Sequence, residues 1–285
     1  SIEDNVARVD EVFRLQGAQE LKEAEKRYLP SAEKAPCAVI LAASRGKELG
    51  ALTEDKPKVM IDIRGKPLLA HIAETYNLAG IKKLVVVRGY MKHAVDVPGL
   101  DYVDNDRHES TGELVSLKRA LDYLGDHHGD LGMDMVVSYG DVLFNKYILS
   151  LLEEPGEDFV VTVDADWVNS RNAGREADWA VCSHSNSRDN FSTNVSLKRL
   201  GDDIQEANIH GEWMGFLKVS AKGFAIVKTT LNELLSHPDQ QQFKMPDLIN
   251  TLIEDGNIVR VIYTTGHWLD IDTVQDLIAA GNFNA

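Results

Sequence analysis

The feature that most constrains this chain is a change of character near residue 43. An apolar run, Cys37 to Ala43, reads as a buried strand. It breaks into a loop that carries Gly46 and Gly50 and the cations Arg45, Lys47, Lys56 and Lys58, and Val59-Met-Ile then resumes the apolar pattern. A buried strand feeding a glycine-bearing, cationic loop is where an α/β protein holds phosphate. Small residues let backbone N–H groups approach an anion, and lysines neutralise it. The loop contains neither G-x-x-x-x-G-K-[ST] nor G-x-G-x-x-G, which excludes the P-loop and the dinucleotide fingerprint.

The rest of the chain alternates strand and helix signals. Pro67 opens a helix with Leu69, Ile72, Ala73 and Tyr76 on one face, ended by Gly80. Lys83 to Val87 is a buried strand, and Asp101 to Asp104 a short edge-like one. Leu114, Leu117, Leu121 and Leu124 form a helical stripe. Met135 to Val137, Glu157 to Val163, Trp179 to Cys182 and Asn257 to Tyr263 read as strands. Val195 to Leu200 and Ile204 to Ile209 are expected to form a hairpin through Gly201-Asp-Asp203, and two helices are expected near 221–236 and 245–255. Ahead of this domain (37–285), Val6, Val9 and Phe13 recur at helical spacing. A second short helix ends at Pro30, and 31–36 is a polar linker, so residues 1–30 are expected to be a helical arm.

Charge narrows the function. Thirty Lys and Arg against 45 Asp and Glu give −15, a balance that repels nucleic acid and anionic membranes. The basic residues of the opening loop are a local positive site on a negative protein, which suits a small anionic ligand held with metal. Two cysteines in apolar surroundings, Cys37 and Cys182, fit a reducing cytoplasm, and no run of about 18 apolar residues is present.

Several carboxylates have two readings. Asp141 ends the strand Met135-Val-Val with Gly140; it caps a helix expected near Phe144 or binds a metal at the mouth of the sheet. Asp270 and Asp272 alternate with Leu269 and Ile271, so both point to one side of a strand end, and Asp272 also stands where it caps the last helix, with Gln275 three residues on. Ser110-Thr-Gly-Glu113 is a capping-box pattern. The loop from Asp164 to Arg175 is either a solvated surface loop or an acceptor pocket in which Arg171 and Arg175 clamp a phosphonate.

The opening stretch, Leu41-Ala-Ala-Ser-Arg-Gly-Lys-Glu-Leu-Gly-Ala-Leu-Thr-Glu-Asp-Lys-Pro-Lys58 followed by Gly65-Lys-Pro-Leu68, resembles the signature of sugar-phosphate and choline-phosphate nucleotidyltransferases, L-A-A-G-x-G-x-R-L-x-x-L-T-x-x-x-P-K. Ser44 and Glu48 depart from it, standing for a Gly and a triphosphate-binding Arg, with Lys47 adjacent to supply the charge. Gly140-Asp141, Gly211-Glu-Trp-Met-Gly215 and Trp268-Leu-Asp-Ile-Asp272 resemble further motifs of that family. The resemblance implies a Rossmann-like mixed, mostly parallel sheet flanked by helices, of the nucleotide-diphospho-sugar transferase type. It implies Lys58, Lys47 and Arg45 as the catalytic cations. Nucleotide contacts fall on Leu41, Ala42, Ala43, Ser44, Gly46, Thr111, Gly112, Ser116 and Asp141, and Mg²⁺ on Asp141 and Asp272. The acceptor side takes Glu212, Trp213 and Asp270 with the two arginines, the alternative for Trp213 being a core residue. Val9 to Gln16 and Glu23 to Leu29 resemble the closing helices of phosphoenolpyruvate mutases, the enzymes that make the carbon–phosphorus bond. Together these imply a Mg²⁺-dependent cytidylyltransferase acting on CTP and a small phosphonate, 2-aminoethylphosphonate or 2-hydroxyethylphosphonate, and fused to a mutase. A homodimer is left open. The alternatives are a phosphocholine cytidylyltransferase, for which Trp167, Trp179 and Trp213 offer aromatic faces, and an inactive nucleotide-binding module.

Overall fold

The apolar run forms β1 (Cys37–Ala42), buried along its whole length. In chain order there follow β2 (Asp62–Ile63), β3 (Lys66–Pro67), α1 (Leu68–Leu78), β4 (Lys83–Arg88), β5 (Asp101–Asp104), α2 (Glu113–His128), β6 (Met135–Tyr139) and β7 (Val142–Phe144). The second half adds α3 (Tyr147–Glu153), β8 (Phe159–Asp164), β9 (Trp179–Cys182), β10 (Leu197–Gly201), β11 (Gly211–Val219), α4 (Gly223–Leu234), α5 (Met245–Glu254), β12 (Val259–Thr264), β13 (Trp268–Asp270) and α6 (Val274–Ala280). The computed structural model describes residues 35–128, 132–153, 155–170, 177–190, 193–237 and 241–283. The chain divides into two units between Ala35 and Pro36. The expected helical arm and all but the last two residues of the expected linker lie outside the described residues.

The main sheet runs β10-β9-β11-β6-β1-β4-β5, with β8 also on β11 and β12 on β8. It is mixed. β6, β1, β4 and β5 are mutually parallel, as are β8 and β12, whereas β11 runs against β6, β8 and β9. Alternation along β1 sorts its side chains between two cores. Cys37, Val39 and Leu41 pack with the Leu114, Leu117, Leu121 and Leu124 stripe of α2 and with α4 and α5. Ala38, Ile40 and Ala42 pack with Leu69, Ile72 and Tyr76 of α1 and with α3. Both faces are covered, and in open α/β sheets of this kind ligands meet the carboxyl ends of the parallel strands, here the ends of β1 and β6. Among the described residues, no helix is long and apolar enough to cross a membrane.

Two local expectations are corrected. The segment after Asp141 is β7, an extended Val142-Leu-Phe that pairs with β13, and the helix begins only at Tyr147. β10 pairs with β9, not with residues 204–209, where the chain makes a short 3-10 turn at Glu206–Asn208. The side-chain carboxamide of Asn250 explains the choice: it accepts from Leu200 N at 2.9 Å and donates to Leu200 O at 2.8 Å, filling the bonds a hairpin partner would make.

Leu117→Ala should lower unfolding stability by about 2–5 kcal/mol, because it empties a fully buried position between α2 and the sheet. Leu78→Ala, at 65% exposure, should change it by less than about 0.5 kcal/mol. Urea denaturation of the two variants checks the placement of the core.

Candidate active site

The loop after β1 is folded back on itself. Gly46 sits at φ 74, in the left-handed region, and a Cβ there would lie 2.6–2.7 Å from the Lys58 side chain. Only glycine fits that position without strain. Residues Lys47–Thr53 then make a 3-10 turn, and Thr53 Oγ1 donates to Gly46 O at 3.0 Å. Arg45 is fixed within this frame: its Nε donates to Thr53 O at 3.1 Å, and its guanidinium lies 5.5 Å from the Tyr90 ring. Lys47, Glu48 and Ser44 are exposed, and Leu41 and Ala42 are buried in β1 beneath them. Lys58 N donates to Arg45 O at 3.2 Å, so the lysine is tied to the loop at backbone as well as side chain.

Lys58 is 3% exposed. Its Nζ lies 3.0 Å from Asp141 Oδ2 and 2.6 Å from Asp272 Oδ1. Burial alone pushes an ammonium toward neutrality; the carboxylates of Asp141, Asp270 and Asp272 outweigh it and hold Lys58 above its ordinary range. The acidic partners come from distant parts of the chain. Asp141 follows β6, and Gly140 N donates to Leu41 O at 2.8 Å, which pins the turn to β1. Asp270 ends β13, which pairs antiparallel with β7 through Trp268 with Phe144, Leu269 with Leu143 and Asp270 with Val142, and Ile271 N donates to Asp141 O at 3.1 Å.

Asp141, Asp270 and Asp272 each offer a carboxylate oxygen within 4.8 Å of the others. Asp270, expected on the acceptor side, thus stands in the same cluster as the two aspartates expected to bind metal. Its carboxyl is held well above the usual range, first by burial and then by the charge of Asp141, with Lys58 opposing. Three carboxylates around one ammonium leave an excess of negative charge, and all the donors are hard oxygens. That donor set fits a divalent cation of the Mg²⁺ type.

Asp272 does not cap the last helix. That cap is Thr273, whose hydroxyl accepts from Asp276 N, while Asp276 Oδ2 accepts from Asp272 N and Thr273 N. Asp272 is left to face Lys58. The capping box expected at Ser110 to Glu113 also fails to form: Glu113 Oε2 instead accepts from Met245 N at 2.9 Å and from the Tyr139 hydroxyl at 2.9 Å, joining α2, β6 and the start of α5. Gly112 lies against the chain's own backbone at Gln242 and Phe243, and its N donates to Gln241 O, so the space expected for a base is filled there. Thr111 and Ser116 are buried and turn inward to Asn105 Nδ2, each at 3.0 Å.

Glu212 is buried on β11, opposite Asp164 on one side and Trp179 on the other. Trp167 and Trp179 lie with ring centroids 4.8 Å apart at 59°. Trp213, expected on the acceptor side, is a core residue: its indole N–H donates to Phe216 O at 2.9 Å and its ring meets Tyr139 edge-on. Arg171 and Arg175 lie outside the described residues. Sequence reasoning missed Asn105 and Asp164, both wholly or almost wholly buried polar residues. A polar residue ending an apolar strand is the one signal that marked Asp164.

The family model described as MobA-like NTP transferase domain matches residues 38–212. The chain is 33% identical over 250 residues to the UTP–glucose-1-phosphate uridylyltransferase AglF of Haloferax volcanii, covering 84% of this chain and 92% of that protein. It is 25% identical over 255 residues to the CTP:phosphoglutamine cytidylyltransferase of Campylobacter jejuni, covering 84% and 97%. Against the bifunctional protein GlmU of Methanococcus maripaludis it is 27% identical over 251 residues, 86% of this chain, and spans about half (53%) of that relative's length. The structure of the inositol-1-phosphate CTP transferase from T. maritima superposes with a TM-score of 0.66 at 18% identity, covering 87% of this chain and 96% of that one, a likeness of fold.

Asp178, beside Trp179, gives a pH signature. Its pKa is raised to about 6 by burial, with Lys244 opposing and Asp202 and Asp247 adding to the rise. A carboxyl whose folded pKa is raised contributes stability that is present below its unfolded pKa and is lost as pH rises through about 6. Asp178→Asn should therefore raise stability at pH 8 by up to about 3 kcal/mol and by little at pH 4. Thermal or urea unfolding at the two pH values measures the difference.

Proposed function

Because this chain belongs to the MobA-like NTP transferase family, a family of nucleotidyltransferases, we propose that it transfers CMP from CTP to a small phosphonate and releases pyrophosphate. The observation that carries the transfer chemistry is Lys58, held between Asp141 and Asp272 at the ends of β6 and β13. The acceptor is argued from two features: the likeness of Val9 to Gln16 and Glu23 to Leu29 to a phosphonate-forming mutase, and the acidic and aromatic character around Glu212. Trp167 and Trp179 offer aromatic faces and Glu212 a carboxylate, which together suit an ammonium group. That favours 2-aminoethylphosphonate over its hydroxyl analogue. In this reading the full-length protein is a cytoplasmic fusion with a mutase domain.

The reaction forms one P–O–P bond and breaks another. A phosphonate oxygen attacks the α-phosphorus of CTP in line with the departing pyrophosphate. A phosphoryl group loses its second proton near pH 6, roughly, so the acceptor arrives as a dianion and no Ser–His or Cys–His nucleophile is required. A Mg²⁺ on Asp141, Asp270 and Asp272 supplies charge neutralisation for phosphate oxygens. Lys58 meets the charge that builds on the α-phosphate. Arg45 and Lys47 hold the outer phosphates, Arg45 from the fixed position that Thr53 and Tyr90 give it. Arg171 and Arg175 clamp the phosphonate.

The tilted Trp167–Trp179 pair also favours a second reading, phosphocholine as acceptor, because a quaternary ammonium is held well between aromatic faces. Pyrophosphate release is the assay, with CTP, Mg²⁺ and each of 2-aminoethylphosphonate, 2-hydroxyethylphosphonate and phosphocholine. The highest kcat/KM is expected with 2-aminoethylphosphonate. Lys58→Ala and Asp141→Ala should each lower turnover by a factor of about 10³ with the fold intact. A preference for phosphocholine would select the second reading, and silence with every acceptor would leave a nucleotide-binding module without activity.

A further inference from the structure

The arm Trp268 to Asp272, which delivers two of the three clustered carboxylates, is strung between two other buried carboxylates. At its leading end the chain reverses through Gly266 and His267, with φ of 60 and 62. Positive φ at a non-glycine residue is uncommon and needs support from its surroundings. Asp164, the last residue of β8 and 1% exposed, gives that support. Its Oδ2 accepts from Trp268 Nε1 at 2.8 Å and from Gly266 N at 3.2 Å, and its Oδ1 accepts from Asp166 N at 2.9 Å. At the trailing end Asp276, 4% exposed, presents Oδ2 to Asp272 N at 3.1 Å, Thr273 N at 2.7 Å and Thr273 Oγ1 at 2.8 Å. Between these anchors the arm is zipped to β7, the strand that directly follows Asp141.

A helix cap or a turn is served adequately by a neutral acceptor. A carboxylate makes stronger hydrogen bonds but costs more to bury. Using one at each end of a five-residue arm suits a segment whose geometry must be held closely, as groups behind metal ligands are. We propose that Asp164 and Asp276 are positioning residues: they touch neither substrate nor metal, and they hold Asp270 and Asp272 at the spacing from Asp141 that a divalent cation requires. The inference rests on the reading of the cluster as a metal site.

Mn²⁺ is the probe, with free ion followed by electron paramagnetic resonance during titration of the full chain. Asp164→Ala and Asp276→Ala should each weaken Mn²⁺ binding by about 10- to 100-fold. They should raise the Mg²⁺ concentration for half-maximal pyrophosphate release by a similar factor, and high Mg²⁺ should restore turnover. Asp276→Asn, which keeps an acceptor oxygen but gives up the charge, should recover part of the affinity and not all of it. Trp268→Phe removes the indole donor, together with part of a buried ring, and changes no charge, so it should weaken Mn²⁺ binding in the same direction, and it decides the matter if the alanine variants do not fold. Wild-type Mn²⁺ affinity in Trp268→Phe, or in folded Asp164→Ala and Asp276→Ala, would overturn the positioning role while leaving the metal site in place. Mn²⁺ binding that survives Asp272→Asn unchanged would instead overturn the metal site, and this proposal with it.

Discussion

An ammonium cannot stay charged in a protein interior without oxygen atoms around it, and the site depends on that constraint at Lys58. The lysine belongs to the loop after the first strand, Asp141 to the turn after β6, and Asp272 to the end of the chain, 214 residues from the lysine it meets at 2.6 Å. Lys58 is the deeply buried member, and Asp141 and Asp272 are partly exposed. The ammonium needs the carboxylates, and the carboxylates, crowded with Asp270, need the ammonium. Sheet topology makes the meeting possible: β1 and β6 are parallel neighbours, so the segments that follow them emerge at the same edge, and β13 is drawn to that edge by its ladder with β7.

Much of the first half was legible because its central strands are buried on both faces. Such strands read as continuous apolar runs, and β1, β4 and β6 all do. The α2 stripe was legible for a similar reason, since four leucines at helical spacing have one core to face. The second half was less so. β7 is only three residues long, too short to oppose the helix signal that follows it, and its existence depends on a partner about 125 residues away. β10 lost its expected hairpin because Asn250, on a helix far along the chain, satisfies the Leu200 backbone. Pairings of that kind leave no local trace.

The site divides in the same way. Lys58 stood out through the family signature that it closes, Asp141 because it stands where an apolar strand gives out, and the period of two along Trp268 to Asp272 put Asp270 on the same side as Asp272. The jobs of the polar residues behind them could not. Asp272 looked like a helix cap because it precedes the helix, yet Thr273 and Asp276 form the cap between themselves. Glu113 had the spacing of a capping box, but the backbone N–H of Met245 and the Tyr139 hydroxyl take its carboxylate. The family resemblance put Trp213 on the acceptor side, and it is core: its indole N–H finds a carbonyl three residues on. A hydrogen bond between residues adjacent only in space outcompetes a pattern written in sequence.

The contact between Gly46 and the stem of Lys58 has a mechanical consequence. With no room for a methyl group between them, loop and lysine are interlocked like a tooth and its notch. A shift of the loop backbone at Gly46 would press directly on the lysine stem, so neither can move far without the other.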